Sequence, residues 1–319
     1  MPDVGVLLMT YGSPTSLDDV PRYVTAVRGG RDPGPDVVAE FVRRYRVIGG
    51  SPLVEITNAQ AAALEVALGG EAAVRSGMRF SAPTVADGLR SLAAEGATRV
   101  AAIILSPQYS PLLMGGYARA VEAAREEIGR DAPEVALAGA WDFEPDFVDA
   151  LATRITEAIA RLPAGEAATV PVLLTAHSLP KRVADQEPAY LAQLRQTASA
   201  VAARAGLSPE RWTFCWQSAG HEPGEWMKPD FADLMPQLAA EGHRSVLVAP
   251  VQFLSDHLEV LYDVDVGARE QAEAHGLRFT RTQSLNVDSR FIAALAAVAR
   301  RTLASASGLQ RDARGVGTH

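Results

Sequence analysis

A chain of 319 residues with 48% hydrophobic and 21% charged residues has the make-up of a soluble globular protein, long enough for two domains of ordinary size. Its formal net charge of −8 excludes a general affinity for nucleic acid or anionic membrane surfaces. One cysteine, Cys215, excludes a disulfide framework and an iron–sulfur or all-cysteine metal site within the chain, and no apolar run approaches the ~18 residues of a membrane span. The opening MPDVGVLLM lacks a basic region and a cleavage site, so the expected location is the cytoplasm.

Strand and helix signals then alternate along the chain. Short apolar runs predict strands at Gly5–Met9, Ala73–Arg79, Arg99–Leu105, Glu134–Ala140, Val172–Ala176, Thr213–Trp216, Ser245–Val251 and Arg278–Gln283. Helical patterns fill the intervals, among them Pro35–Arg46, Asn58–Leu68, Pro83–Glu95, Tyr117–Ile128, Glu144–Arg161, Glu187–Arg204, Leu258–Ala274 and Ser289–Leu303. The alternation predicts an α/β fold of two Rossmann-like domains, each a four-stranded parallel sheet flanked by helices. The Pro/Gly/Ala stretch Leu162–Val170 divides the strands four and four, giving domains 1–165 and 166–319. The last helix, about 289–303, is expected to pack back on the first domain, and the small, polar tail from about Ser305 to fray.

Ligands of open α/β sheets bind beyond the carboxyl ends of the strands, which turns the strand list into a site list. Tyr11 and Ser13 follow the first strand, Gln108 and Tyr109 the third, His177 and Ser178 the fifth, Gln217 and Ser218 the sixth, and Asp256, His257 and Glu259 the seventh. The natural site is a cleft between the two domains. After the seventh strand, Ser255–Asp256 is a plausible helix N-cap, and Glu259 and Asp263 lie four apart, on one face of the predicted helix. His177 alone is as readily a loop-capping histidine as a functional one. Paired with Glu259 it suits a divalent cation such as Fe²⁺, or a proton acceptor with its orienting acid. Two ligands make no closed structural metal site, so such a metal would be transient or open to substrate. His257 lies ~200° from Glu259 on a helix, which assigns it a supporting role; His221, His243 and His275 read as solvated.

Other chemistries find little support. No Gly-x-Ser-x-Gly elbow surrounds Ser178, and Cys215 falls inside a strand pattern. Gly49-Gly50 and Gly115-Gly116 lack the spacing of a phosphate or dinucleotide loop, so no nucleotide cofactor is expected. Arg22, Arg28, Arg31, Arg43, Arg44 and Arg46 face only Asp32, Asp36 and Glu40 in the same stretch, an excess suited to a ligand with several carboxylates or, equally, to a solvated helix face.

YGSP after the first strand, then IGGSPL, SPQYS, TAHSLP, WQSAG with EWMKPD, and PVQFLSDHLEVLYDVD, in that order, resemble the ferrochelatase family from Val4 to about Leu303. The AHSLP and DHLEVLYD motifs are the specific ones. The resemblance implies a class II chelatase-like pair of Rossmann-like domains that inserts Fe²⁺, as substrate, into a porphyrin in haem biosynthesis. It implies His177 and Glu259 as the catalytic and metal-contacting pair, with Asp263 extending a proton or metal path. It is closest to the bacterial coproporphyrin III type, in which Tyr11 lies on the porphyrin face and can act as an axial ligand. Arg28, Arg44, Tyr45, Ser51 and Tyr117 would contact the porphyrin or its propionates, and transient contact with the next haem-pathway enzyme is implied. A Lys-His pair of some relatives reads Arg79-Phe80 here, and Gly267 interrupts the acidic ridge that follows Asp265. Protoporphyrin IX insertion, another class II chelatase acting with cobalt or sirohydrochlorin, and a non-catalytic porphyrin or haem carrier stand as alternatives. In the mechanism that the pair suggests, His177 is neutral near pH 7 and accepts a pyrrole proton.

Overall fold

A computed structural model of the chain describes residues 3–220 and 224–315, residues 306–315 for their backbone alone; His221 and residues 316–319 lie outside the described residues. The strands are β1 (Val4–Thr10), β2 (Ala73–Met78), β3 (Arg99–Ile104), β4 (Glu134–Leu137), β5 (Val172–His177), β6 (Trp212–Gln217), β7 (Ser245–Pro250) and β8 (Arg278–Arg281). They form two four-stranded sheets, ordered β2-β1-β3-β4 and β6-β5-β7-β8, with every pairing parallel. The two sheets therefore repeat one topology. In each, strand order reverses at the two central strands, which is where a parallel sheet opens a crevice.

The central strands are buried on both faces, as continuous apolar runs require: Val6 to Met9 of β1 and Val246 to Val248 of β7 are fully buried. In the first sheet, Leu7, Met9, Ala102 and Ile104 pack against Val85, Leu89 and Leu92 of the helix Val85–Ala94 and against Met114, Tyr117 and Val121 of the helix Pro111–Ile128. A capping box between Thr84 and Asp87 starts the former helix. In the second sheet, Leu173, Val246 and Val248 pack with Phe231, Met235, Val264, Ala268 and Ala272. Cys215 is fully buried there, and burial raises its thiol pKa, so it is a core residue rather than a nucleophile.

The chain forms two compact units: residues 1–39, 52–144 and 287–319, and residues 40–51 and 145–286. This differs from one boundary near residue 165. The helix Pro145–Ala160 packs on the helix Pro188–Arg204 and on β7, which places it in the second unit. The final helix packs on β3, β4 and the helix Leu53–Ala67 of the first unit. That final helix runs from Ser289 to Gly315, past the expected end near Leu303. No proline interrupts it, and alanine and arginine favour the helix.

The predicted helix Leu258–Ala274 is also corrected. An α-helix covers only Leu258–Leu261, a π-helical turn follows at Asp263–Ala268, and the α-helix resumes at Arg269–Ala274. The Tyr262 carbonyl accepts from both Val266 N–H (3.1 Å) and Gly267 N–H (2.9 Å) at the widened turn.

Gly88 shows how tightly helix and sheet meet in the first unit. A Cβ there would lie 2.5 Å from the Ser76 carbonyl oxygen and 2.6 Å from a Leu7 methyl. Gly88→Ala is expected to lower stability by about 1–3 kcal/mol of overpacking, less the ~1 kcal/mol that alanine gains over glycine in a helix. Urea unfolding of the purified variant measures it; a midpoint at or above that of the wild type contradicts the tight contact.

Candidate active site

In the second unit, the parallel register brings the ends of β5, β6 and β7 level: His177 pairs with Gln217, and Thr175 pairs with Pro250. Beyond these ends lies a pocket of about 430 Å³ whose lining includes His177, Gln217, Ser218, Glu259, Asp263 and Arg44. His177 Nε2 lies 3.4 Å from Glu259 Oε1. The backbone of each member is also tied down. Gln252, just after β7, accepts from His177 N–H at 2.7 Å, and Gln217 Nε2 donates to the Glu259 carbonyl at 3.2 Å. Thr175 in turn donates its hydroxyl to Gln217 Oε1 at 2.5 Å. The His177 Nδ1 meets the Ser178 carbonyl, which fixes the ring with Nε2 toward Glu259.

Burial works against charge on His177, but the Glu259 carboxylate, its hydrogen bond, the Ser178 carbonyl and Asp263 more than offset it and raise the imidazole pKa to about 9. Burial likewise works to raise Glu259, and His177 together with His257 pulls it far below the usual carboxylate range. The expectation of a neutral His177 near pH 7 is thus corrected: in the ligand-free pocket the pair favours imidazolium and carboxylate, because each charge stabilises the other more than desolvation opposes it.

His257 is a second correction. It precedes the helix in extended backbone (φ −160°, ψ −176°), so helical geometry does not separate it from Glu259. Its Nε2 lies 3.4 Å from Glu259 Oε2, and its Nδ1 lies 2.9 Å from the Ser255 carbonyl. Both carboxylate oxygens of Glu259 therefore meet an imidazole. The expected N-cap residue Asp256 instead accepts from Ser284 and Asn286 side chains, at 2.7 and 2.9 Å, and pins the loop.

Asp263 lines the same pocket from the π-helical turn. Burial raises its carboxyl pKa; a Ser218 hydrogen bond opposes this, Glu259 adds to it, and Arg44 opposes it. Ser218 holds a left-handed φ of 58°, a conformation rare outside glycine, which aims it into the pocket end. Arg44 binds Glu40 at 2.8 Å and Asp263 at 3.3 Å, with its guanidinium 5.0 Å from the Tyr262 ring centroid. Asp265 pairs instead with Arg281 at 2.7 Å, away from the pocket-lining residues. Tyr45 is buried in this unit, and burial followed by the Glu259 charge raises its phenol pKa well above the ordinary value. Ser51 ends the 40–51 segment of the same unit, after Gly49 and Gly50 at positive φ.

Three of the expected residues belong to the first unit. Tyr11 follows β1 and is 43% exposed, and Tyr117 packs edge-on to it at 6.0 Å while itself buried. The turn that presents Tyr11 needs Gly12, at φ 84°, where a Cβ would lie 2.0 Å from Ser81 Oγ. Tyr23 caps the turn by donating to the Gly12 carbonyl at 2.8 Å. Arg28 ends the helix Val20–Val27, and its buried Nε has no hydrogen-bond partner. Gln252, just after β7, carries no expectation from the sequence, and Arg79, just after β2, carries none beyond standing where some relatives have a Lys-His pair.

The fold is that of the class II chelatases: it resembles the sirohydrochlorin chelatase SirB from Bacillus subtilis solved with Fe³⁺, with a TM-score of 0.59 at 12% identity, over 97% of this chain and 98% of that one. The ferrochelatase family profile matches residues 3–303. The chain is 37% identical to a ferrochelatase of Deinococcus radiodurans, over 94% of this chain and 96% of the relative. It is also 37% identical, over the same shares, to a coproporphyrin III ferrochelatase of Geobacillus thermodenitrificans. The chain belongs to the ferrochelatase family, which inserts iron into porphyrin in haem biosynthesis. No helix of the described residues is long and apolar enough to cross a membrane.

A raised His177 pKa means that the pair's stabilisation is complete below the unfolded value of ~6.5 and is lost as pH rises through about 9. Glu259→Gln removes the largest raising influence and leaves burial, so the His177 imidazole should then titrate below its wild-type value. NMR titration of its ring protons in both proteins measures this; an unchanged midpoint would show that Glu259 does not hold the proton.

Proposed function

We propose that the chain inserts Fe²⁺ into coproporphyrin III, with His177 and Glu259 as the group that meets both metal and proton. The supporting observation is the buried imidazole–carboxylate pair at the β5 and β7 ends, with Asp263 beside it in one pocket. Insertion exchanges two pyrrole protons for one Fe²⁺, so the site must take up protons and briefly hold a cation. Whenever the pair is deprotonated it is a stronger base than a lone histidine, because the carboxylate stabilises the imidazolium. Proton loss from His177 frees Nε2 for the metal, and Asp263, its carboxyl raised by burial, is the next acceptor along the pocket. Glu259 contributes the second metal contact, while His257 holds its other oxygen. Binding energy from the porphyrin's periphery would bend the macrocycle and expose its nitrogen lone pairs.

Choice of coproporphyrin rests on carboxylate count, four against the two of protoporphyrin IX. Arg28, with an uncommitted buried Nε, and Arg44 are the proposed propionate contacts. Tyr45, Ser51, Tyr117 and the exposed Tyr11 complete the proposed porphyrin contacts, Tyr11 as an axial ligand. Several relatives at 34–37% identity are coproporphyrin III ferrochelatases, which supports the same choice.

An anaerobic assay of ferrous iron with each porphyrin, followed by absorbance, tests the substrate. Insertion into coproporphyrin III with little into protoporphyrin IX is expected; the reverse preference overturns the assignment. His177→Ala should abolish insertion while coproporphyrin still binds, and near-wild-type turnover in that variant would remove His177 from the chemistry. Neutralising Arg28 should raise KM for coproporphyrin about tenfold, the weight of one charge-assisted hydrogen bond, with kcat little changed.

A further inference from the structure

We infer that Arg79 is a carboxylate receptor for the porphyrin, a specificity-determining contact in the first unit that adds to the proposed set and rests on the porphyrin reading above. The residue stands directly after β2. Strand pairing continues past that strand's end: Arg79 N–H donates to the Thr10 carbonyl at 3.0 Å, and Phe80 N–H donates to the Tyr11 carbonyl at 3.1 Å. Arg79 is therefore fixed beside Tyr11 by backbone bonds, not by a flexible stem.

Its guanidinium carbon lies 4.6 Å from the Phe80 ring centroid, 5.1 Å from Tyr117 and 5.4 Å from Tyr11. These rings pack on one another as well, Tyr11 with Phe80 at 5.3 Å. Aromatic faces hold a cation and shield it from water, yet they supply no opposite charge. Arg75 and Arg300, by contrast, are each paired with a carboxylate at 2.7 Å or less. Among the described residues no ion pair or side-chain hydrogen bond engages the Arg79 guanidinium; its side-chain contacts are those with the rings. Contacts with the rings leave the guanidinium N–H groups for a planar acceptor, and a carboxylate matches their fork.

Gly116 supplies an independent observation. It lies inside the helix Pro111–Ile128, where glycine is disfavoured, and a Cβ there would fall 2.2, 2.3 and 2.6 Å from three atoms of the Arg79 guanidinium. Only glycine leaves the guanidinium this position. The exposed Tyr11 makes the aromatic group accessible to a ligand. A partly exposed aromatic group joined to an uncompensated guanidinium fits a ligand that carries carboxylates on an aromatic ring, which favours a porphyrin propionate over an isolated phosphate or carboxylate.

The test is a fluorescence titration of the full chain with coproporphyrin III and with its tetramethyl ester, on wild type, Arg79→Met, Arg79→Lys and Gly116→Ala, each first checked by thermal melting. Arg79→Met should weaken coproporphyrin III about tenfold and leave the ester unchanged, and its KM should rise with kcat within about twofold. Arg79→Lys, which keeps the charge but loses the fork, should fall between. Gly116→Ala, which displaces the guanidinium without removing it, should weaken the acid and spare the ester. Equal loss for acid and ester in Arg79→Met and Gly116→Ala would show that Arg79 only shapes the aromatic surface, and unchanged binding in all three variants would overturn the role outright. A wild type that binds neither porphyrin would instead refute the porphyrin reading on which the inference stands.

Discussion

Burying an imidazole and a carboxylate side by side is unfavourable for each alone, since both lose the water that stabilises their charge. In this chain the shifts of His177 and Glu259 run against desolvation, the histidine upward and the glutamate downward. Mutual attraction therefore exceeds the burial penalty, and it does so because the remaining polar atoms are served. Glu259 has a second imidazole on its far oxygen, and both backbones are anchored by glutamines. A pair supported in this way could release its proton to water as a cation takes its place, without leaving an unpaired buried charge. On the proposed reading, cation and proton would be alternatives at one place, as exchange of two protons for one metal ion demands.

The pair exists because parallel register places strand ends together. β5 supplies His177, β6 supplies Gln217, and the loop after β7 supplies Gln252, His257 and Glu259. The first unit repeats the strand order yet carries different chemistry at the same ends, with Tyr11 after β1 where the second unit has His177 at the end of β5, and Arg79 after β2 where it has Ser218 after β6. One topology thus presents a buried histidine–carboxylate pair in one unit and an aromatic, cationic group in the other. Function here lies in the residues at the strand ends, not in the fold that carries them.

Much of this was legible in the sequence because buried parallel strands are continuous apolar runs. The eight strands stand within a few residues of their expected places, and His177 and Glu259 follow from them. The helix after β7 was less legible. Its buried residues Val260, Val264, Ala268 and Ala272 recur every four positions, and each step of four overshoots a regular helix by ~40°. Sustained over three steps that drift would turn the stripe off the core, and the π-helical turn compensates for it. The spacing was in the sequence, but a plain α-helical template hides it. His257 was misplaced for a related reason: with the helix start set at Ser255–Asp256, two residues early, His257 seemed to lie on a helical face. Arg79 was visible in the sequence without a role, because a cation's significance depends on which partners it lacks, and that is a property of the folded arrangement.

The arginines show how strongly context governs worth to a ligand. Arg44 already holds Glu40 and Asp263, so a substrate carboxylate that engages it must replace an existing partner and gains only the difference. Such an exchange also removes a positive charge from Asp263, and that raises the carboxyl's proton affinity further, since Arg44 is one of the influences lowering it. Arg28 and Arg79 have no such internal competitor among the described residues, and a carboxylate reaching them forms its bonds against water alone. On the proposed reading, Arg28 and Arg79 would therefore contribute more to affinity for a polycarboxylate than Arg44, whose engagement would instead raise the proton-accepting strength of the pocket.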